Sequence, residues 1–303
     1  MNALLSVCDI ENDVGDILEL ASKIKSGEIE DKPLEGKTLA MIFEKSSTRT
    51  RVSFDVGMYQ LGGRAIFLSS NDLQMGRGEP ILDTAKVLSR FVDGIMIRAV
   101  EHEDVVELAR HADVPVISGL TNLEHPCQAL ADMLTVKEHF GKWKGLKITF
   151  VGDGNNVCNS LLLIAPLLGM DMSVACPEGY EPNRDILKKA REYASKNHTD
   201  ITVTSDIELA LKDSDVVYTD VWVSMGDEKE AKQREADLKA FQVNSDLMSL
   251  ADENAIFMHC LPAIRGQEVT SDVIDGEASV IYDEAENRLH AQKAVLYYYL
   301  KEN

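Results

Sequence analysis

Short apolar runs alternate with amphipathic stretches from one end of this chain to the other, and that alternation excludes most folds before any single residue is considered. Runs at Thr38–Phe43, Ala65–Leu68, Gly94–Ile97 and Val116–Ser118 read as strands, with helical periodicity over 51–61, 82–92 and 103–112 between them. A second series opens at Lys147–Val151 and continues through Met172–Ala175, Thr202–Thr204, Val216–Thr219, Ile256–Met258 and Val280–Tyr282. Strands separated by helical segments imply right-handed crossovers and parallel sheets. The expected fold class is therefore α/β, with two domains, each a parallel sheet flanked by helices. The stretch 122–139 is itself helical in pattern and then meets Gly141-Lys142-Trp143-Lys144-Gly145, where the domain boundary is read. A chain of 303 residues is ample for two such domains. The charged run Gly226–Asp237 reads as either a loop or an exposed helix.

In parallel sheets ligands sit beyond the carboxyl ends of the strands. The residues with chemistry fall there: Ser47–Arg51, Arg98 and Thr121–Gln128 in the first series, and Asp153–Asn156, Asp220–Met225 and His259–Arg265 in the second. Two domains with their sites on facing edges describe an enzyme that closes over its substrate, with the active site in the inter-domain cleft. The densest cluster is Phe43-Glu44-Lys45-Ser46-Ser47-Thr48-Arg49-Thr50, followed by Arg51. It stands where a helix begins, with Val52, Val56 and Tyr59 recurring at i, i+4 and i+7, and Phe54, Met58 and Leu61 beside them, until Gly62-Gly63 supplies a stop. Hydroxyls, guanidinium forks and the free N–H groups of a first helical turn would converge there on a doubly charged tetrahedral anion. With 31 basic against 51 acidic side chains, a net charge of -20 argues against nucleic acid as a partner. An anionic substrate must then be held by a small cationic cluster against the field of the whole molecule.

The remaining motifs are less specific one by one. Arg98 closes an apolar strand on the same edge as Arg49. In His125-Pro126-Cys127-Gln128 the proline suits a first helical turn, and His125 and Gln128 share a helix face as donors to a carbonyl oxygen. Cys127 faces elsewhere, into the core. Gly152-Asp153-Gly154-Asn155-Asn156-Val157 is a fragment of a dinucleotide fingerprint lacking its third glycine, and reads as a βα turn that projects Asn156. Asp220 precedes Trp222 and Ser224 and would suit an ammonium group. His259-Cys260-Leu261-Pro262 ends an apolar strand; a cysteine nucleophile is discounted because adjacent strand residues point to opposite faces. Arg288, opening the last helix, is either a surface cation or a third substrate anchor. The five cysteines are scattered with no CxxC pair, which points to reduced thiols in the cytoplasm and away from a zinc cluster. The start, Met-Asn-Ala-Leu-Leu-Ser, does not read as a signal peptide, and no run approaches the roughly 18 apolar residues of a membrane span.

Together these motifs carry a resemblance. Phe43–Thr50 fits the carbamoyltransferase signature F-x-[EK]-x-S-[GT]-R-T at every position. His125-Pro126-x-Gln128, Asp220-x-x-x-Ser224-Met225-Gly226 and His259-Cys260-Leu261-Pro262 follow in the family's order. The chain resembles the aspartate/ornithine carbamoyltransferases over nearly its whole length, and its Ser-Met-Gly and His-Cys-Leu-Pro motifs resemble the ornithine branch. Cys127 departs from the Thr or Ile common at its position. The resemblance implies a carbamoyl-phosphate-binding domain over 1–138, an ornithine-binding domain over 139–286, and a last helix, 287–303, packed back on the first domain. It implies that Ser47, Thr48, Arg49 and Thr50 hold the phosphate, and that Gln74 contacts it from a neighbouring subunit of a homotrimer. Arg98, His125 and Gln128 would polarise the carbamoyl carbonyl. Asn156, Asp220, Ser224 and Met225 would bind L-ornithine, with Cys260, the Leu261 carbonyl and Arg288 beside the reacting groups. No metal or organic cofactor is expected. The rival readings are transfer to another amine, such as putrescine or an acylated ornithine, and a non-catalytic metabolite-binding protein.

Overall fold

The computed structural model describes residues 2–70, 73, 78–223 and 228–301, and divides into two compact units, Met1–Ala131 with Glu286–Asn303, and Asp132–Ala285. In the first unit the chain runs through β1 (Ala3–Leu4), α1 (Val14–Ser26), β2 (Thr38–Phe43), α2 (Thr48–Gln60), β3 (Arg64–Ser69), α3 (Ile81–Leu88), β4 (Gly94–Arg98), α4 (His102–His111) and β5 (Val116–Leu120). Its sheet is parallel throughout, in the order β1-β5-β4-β2-β3. β2, which the sheet buries on both faces, lies between β3 and β4 with Phe43 opposite Arg98. The chain leaves β2 toward β3 on one side and returns to β4 on the other. The C-terminal ends of β2 and β4 therefore form a topological switch point, where parallel sheets open a crevice.

α5 (Pro126–Phe140) begins in the first unit and ends in the second. There follow β6 (Lys147–Val151), α6 (Asn156–Leu167), β7 (Asp171–Ala175), α7 (Arg184–Asn197), β8 (Ile201–Thr204), α8 (Ile207–Leu211), β9 (Val216–Tyr218), α9 (Ala231–Leu238), α10 (Ser245–Met248), β10 (Ile256–Met258), α11 (Ser271–Ile274) and α12 (Ile281–Leu300). The second sheet is also parallel, in the order β10-β9-β6-β7-β8, so its switch point lies between β6 and β9. Two parallel five-stranded sheets flanked by helices are the α/β architecture expected from the alternating pattern.

Three local expectations are corrected. Val280–Tyr282 is not a strand: Ser279 makes an isolated bridge to Phe257, and Ile281 already opens α12. The run of apolar residues is too short to outweigh the helical pattern that follows it. The helical segment read from 122 starts at Pro126, because Thr121 closes a turn, accepting from the backbone N–H groups of Leu123 and Glu124. On α2, Val52 and Tyr59 do not face the core; they are 53% and 78% exposed. The buried face is Thr50, Ser53, Phe54, Gly57 and Met58, at i, i+3, i+4, i+7 and i+8. Gly57 and Ser53 admit α12 closely: a Cβ on Gly57 would meet Lys293 at 3.3 Å and Leu296 at 3.5 Å, and the Ser53 hydroxyl donates to Gln292.

Candidate active site

In the first unit the switch point carries the cationic cluster. Ser47 caps α2 in extended backbone, its hydroxyl oxygen accepting from the Thr50 N–H at 3.2 Å. The earlier N–H groups of that turn lack an i−4 carbonyl, as at any helix start, and the hydroxyls of Ser47 and Thr48 and the half-buried Arg49 stand around them. The β4–β5 register shifts between Ile97 and Arg98, which re-aims Arg98 at the strand's end. Its guanidinium lies 3.4 Å from the Thr50 hydroxyl, and the Arg288 guanidinium donates to the same oxygen at 3.0 Å. Arg288 also donates to Gln128 Oε1 at 2.6 Å, so α12 and α5 deliver one residue each to the same point.

His125 sits at the head of α5, buried, with its carbonyl accepting from the N–H groups of Gln128 and Ala129. Burial first, then the charges of Arg288, Arg98 and Arg49, hold its imidazole well below the ordinary histidine range. Arg288, Arg98 and Arg49 are thus near enough for their charges to oppose a proton on the ring, and two of them meet at the Thr50 hydroxyl. The structure thus brings Arg49, Thr50, Arg98, His125, Gln128 and Arg288 together. Cys127 is buried instead against the Ser118 carbonyl, where burial pushes its thiol up to about 12.

The depressed His125 gives a stability prediction. Unfolded, the ring titrates near the ordinary histidine value of 6.5; folded, it stays neutral well below that. Between the two values the unfolded state binds the extra proton, so this stability is present above 6.5 and is lost as pH falls. Without substrate, wild type should lose more stability from pH 7 to pH 5 than His125→Asn, the gap growing by up to about 1.4 kcal/mol per pH unit. Urea unfolding midpoints measure it; parallel pH profiles would show that the folded ring is charged.

In the second unit the switch point carries an amino-acid-like set of partners. Gly152 and Gly154 make the turn after β6: Gly152 has φ 128°, and a Cβ on Gly154 would stand 2.4 Å from the Pro182 nitrogen. Asn155 caps α6, accepting from the N–H groups of Val157 and Cys158, and its amide donates to Asp220 Oδ2 at 2.7 Å. Sequence reasoning chose Asn156, the first residue of α6, and missed Asn155, although an Asn just before an apolar helix is a cap signal. Asp220, two residues past β9, is buried; its Oδ1 accepts from the Val221 N–H at 2.8 Å and from the Cys260 thiol at 3.1 Å. Surrounding atoms and the nearby Asp220 and Glu284 push that thiol well above the usual range, so it remains S–H and donates.

His259 turns into the core. Its Nδ1 accepts from the Leu261 N–H at 2.9 Å and its Nε2 pairs with the buried Glu268 at 3.1 Å, which fixes the Nε2–H tautomer. Leu261 itself holds a left-handed φ of 55°, unusual for leucine, and turns the chain out of β10. Among the described residues, Asp220, His259 and Cys260 are the one group whose donor atoms lie close enough to share an ion, all within 4.8 Å. Each of those atoms already belongs to the hydrogen-bond set just described. Gln74, Ser224 and Met225 lie outside the described residues. Arg234 on α9 donates to Asp153, in the turn after β6, and to the Trp222 carbonyl, two residues past Asp220.

Known proteins share both halves. A family model described as the aspartate/ornithine carbamoyltransferase carbamoyl-P binding domain matches residues 2–138, and one described as the Asp/Orn binding domain matches residues 144–299. An ornithine carbamoyltransferase of Methanobrevibacter smithii is 74% identical over 301 residues, covering 99% of this chain and 100% of that one. One from Methanosphaera stadtmanae is 61% identical over 302 residues, covering the full length of both. The solved ornithine carbamoyltransferase of Pyrococcus furiosus superposes with a TM-score of 0.95 at 52% identity, over 98% of this chain and 96% of that one.

Proposed function

This chain belongs to the aspartate/ornithine carbamoyltransferase family, and from that premise we propose how its residues divide one reaction. The enzyme transfers the carbamoyl group of carbamoyl phosphate to the δ-amine of L-ornithine, giving L-citrulline and phosphate. The observation that carries the assignment of residues is the convergence of three guanidinium groups on an uncharged His125, within the segment matched by the carbamoyl-P binding domain.

Ser47, Thr48, Arg49 and Thr50 take the phosphate, using the free N–H groups of the first turn of α2 and the fork of Arg49. Arg98, His125, Gln128 and Arg288 take the carbamoyl carbonyl. A neutral His125 is a hydrogen-bond donor to the oxygen and is not a proton source, since the surrounding arginines disfavour its charged form. On the amino-acid side, Asp220 receives the α-ammonium, with Asn156, Ser224 and Met225 around the α-carboxylate. Cys260, as a thiol, and the Leu261 carbonyl lie beside the reacting amine. The δ-ammonium first loses a proton. The neutral amine then attacks the carbamoyl carbon, the carbonyl electrons moving to an oxygen held by the guanidinium and imidazole donors. Collapse breaks the carbon–oxygen bond to phosphate, which leaves with its charge matched by arginine, and the second amine proton departs.

Kinetics with carbamoyl phosphate and a panel of L-ornithine, putrescine, Nα-acetylornithine and L-aspartate test this reading. Ornithine should exceed every other acceptor by about a hundredfold or more in kcat/KM, since a site built to hydrogen-bond a substrate group rejects analogues lacking it by as much as about 10⁴–10⁵. Comparable turnover of putrescine would remove Asp220 from the recognition of the α-ammonium.

We further propose that the chain works as a homotrimer in the cytoplasm. Val52 and Tyr59 on α2 are exposed on the side of the edge strand β3 from which Phe67 meets Arg51 of α2, and a strand edge beside exposed apolar side chains favours a protein partner. Sedimentation should give three times the 33.5 kDa of one chain. Tyr59→Asp should shift it toward 33.5 kDa, and an unchanged mass would put the interface elsewhere.

A further inference from the structure

The second unit contains a buried carboxyl pair with no part in the roles above. Asp132 on α5 and Glu284 on α12 are fully buried and hydrogen-bonded to each other. Two carboxylates are both acceptors only, so that bond requires a proton on one of them. Burial and the neighbouring Asp132 push the Glu284 carboxyl well above its usual range, in keeping with one proton shared by the pair. Both Glu284 oxygens also accept. Oε1 takes the Tyr218 hydroxyl at 2.9 Å and Oε2 takes the His259 N–H at 2.9 Å.

Those two donors occupy particular places. Tyr218 ends β9, two residues before Asp220, and His259 follows β10, one residue before Cys260. The strands are neighbours in register, with Met258 opposite Tyr218. One carboxyl group therefore ties the tips of two adjacent strands at the place from which Asp220 and Cys260 reach each other at 3.1 Å. No apolar side chain could do this, because two buried donors on different strands need two acceptors.

We propose that Glu284, braced by Asp132, is a positioning residue for the amino-acid substrate: by holding Tyr218 and His259 it sets the Cys260–Asp220 pair that reads the ornithine ammonium. The proposal rests on the ornithine reading of Asp220, and the brace has a second consequence independent of turnover. It keeps Cys260 packed beside Asp220, where the surrounding atoms and that carboxylate hold its thiol protonated.

The test compares steady-state kinetics for both substrates, melting curves and Cys260 alkylation by iodoacetamide, followed by peptide mapping. Glu284→Gln offers one acceptor where two donors point. Its ornithine KM should rise by roughly tenfold, the scale of one buried donor left unmatched, while the carbamoyl phosphate KM stays nearly constant. Cys260 alkylation in the free enzyme should quicken, since loosened strand tips let the thiol leave the surroundings that keep it protonated. Tyr218→Phe removes one donor without burying a charge and should give the same KM split, more weakly; it decides the matter if Glu284→Gln does not fold. Asp132→Ala should resemble Glu284→Gln, and Asp132→Asn, whose amide can donate to Glu284, should restore the ornithine KM. Folded Glu284→Gln and Tyr218→Phe proteins with equal rises in both KM values, or with neither KM nor alkylation changed, would overturn the proposal. If wild type does not carbamoylate ornithine at all, the functional reading fails, and the alkylation rates still report on the brace.

Discussion

Arg49→Ala should lower kcat/KM by about a hundred- to a thousandfold, corresponding to the roughly 2.7–4 kcal/mol that one preorganised donor to a developing negative charge is worth. Arg49 is the second residue of α2, one past the capped start, and its charge is felt at His125 together with those of Arg98 and Arg288. Removing it takes a charge-assisted donor from the phosphate and weakens the field that accepts the leaving group. It also separates function from stability. Three like charges around one buried ring repel each other, so deleting one relieves the free protein and should not lower its melting temperature. The His125 ring should at the same time move back toward its ordinary range. Arg49→Lys keeps a charge but loses the fork, and should fall between the two. An alanine variant retaining more than about a tenth of wild-type kcat/KM, a loss under roughly 1.4 kcal/mol, would remove Arg49 from the role given to it.

What the sequence made readable was local or periodic. A strand ending in Phe43, a serine cap and a run of hydroxyls and guanidiniums declare a helix start, because capping chemistry acts over three residues. Parallel sheets follow from alternation, and with them the rule that puts Ser47–Thr50, Arg98, Asn155 and Asp220 at strand ends. The periodicity of α2 does not say which stripe turns inward: Phe54 and Met58 do, with Ser53 and Gly57, while Val52 and Tyr59 stay exposed. Hydrophobicity alone cannot tell a core face from a face made for a partner, and a close helix crossing selects small residues. Glu268, Glu284 and Asp132 left no trace in the sequence. Their meaning comes from partners such as His259 and Tyr218, 9 and 66 residues away, and an acid looks solvated until the fold buries it.

Asp220→Asn should raise the ornithine KM by about thirtyfold or more while leaving the carbamoyl phosphate KM nearly unchanged, since truncating one partner of a buried, hydrogen-bonded charge pair costs roughly 2–5 kcal/mol. The size reflects how fully this carboxylate is already used. Oδ2 accepts from Asn155 and Oδ1 from the Val221 N–H and the Cys260 thiol, all donors. An amide at 220 must turn its own N–H groups toward one of them, so the variant both loses the charge and opposes donor to donor. Two readings of Asp220 then part company. If it reads the α-ammonium, wild type should prefer ornithine strongly over 5-aminopentanoate, which keeps the terminal amine and lacks the α-ammonium, and Asp220→Asn should erase most of that preference. If instead it serves only to organise the turn after β9, both acceptors should lose kcat/KM by the same factor, and their ratio would survive the substitution. That ratio is insensitive to partial unfolding, which scales both numerators alike, so it reports on recognition alone.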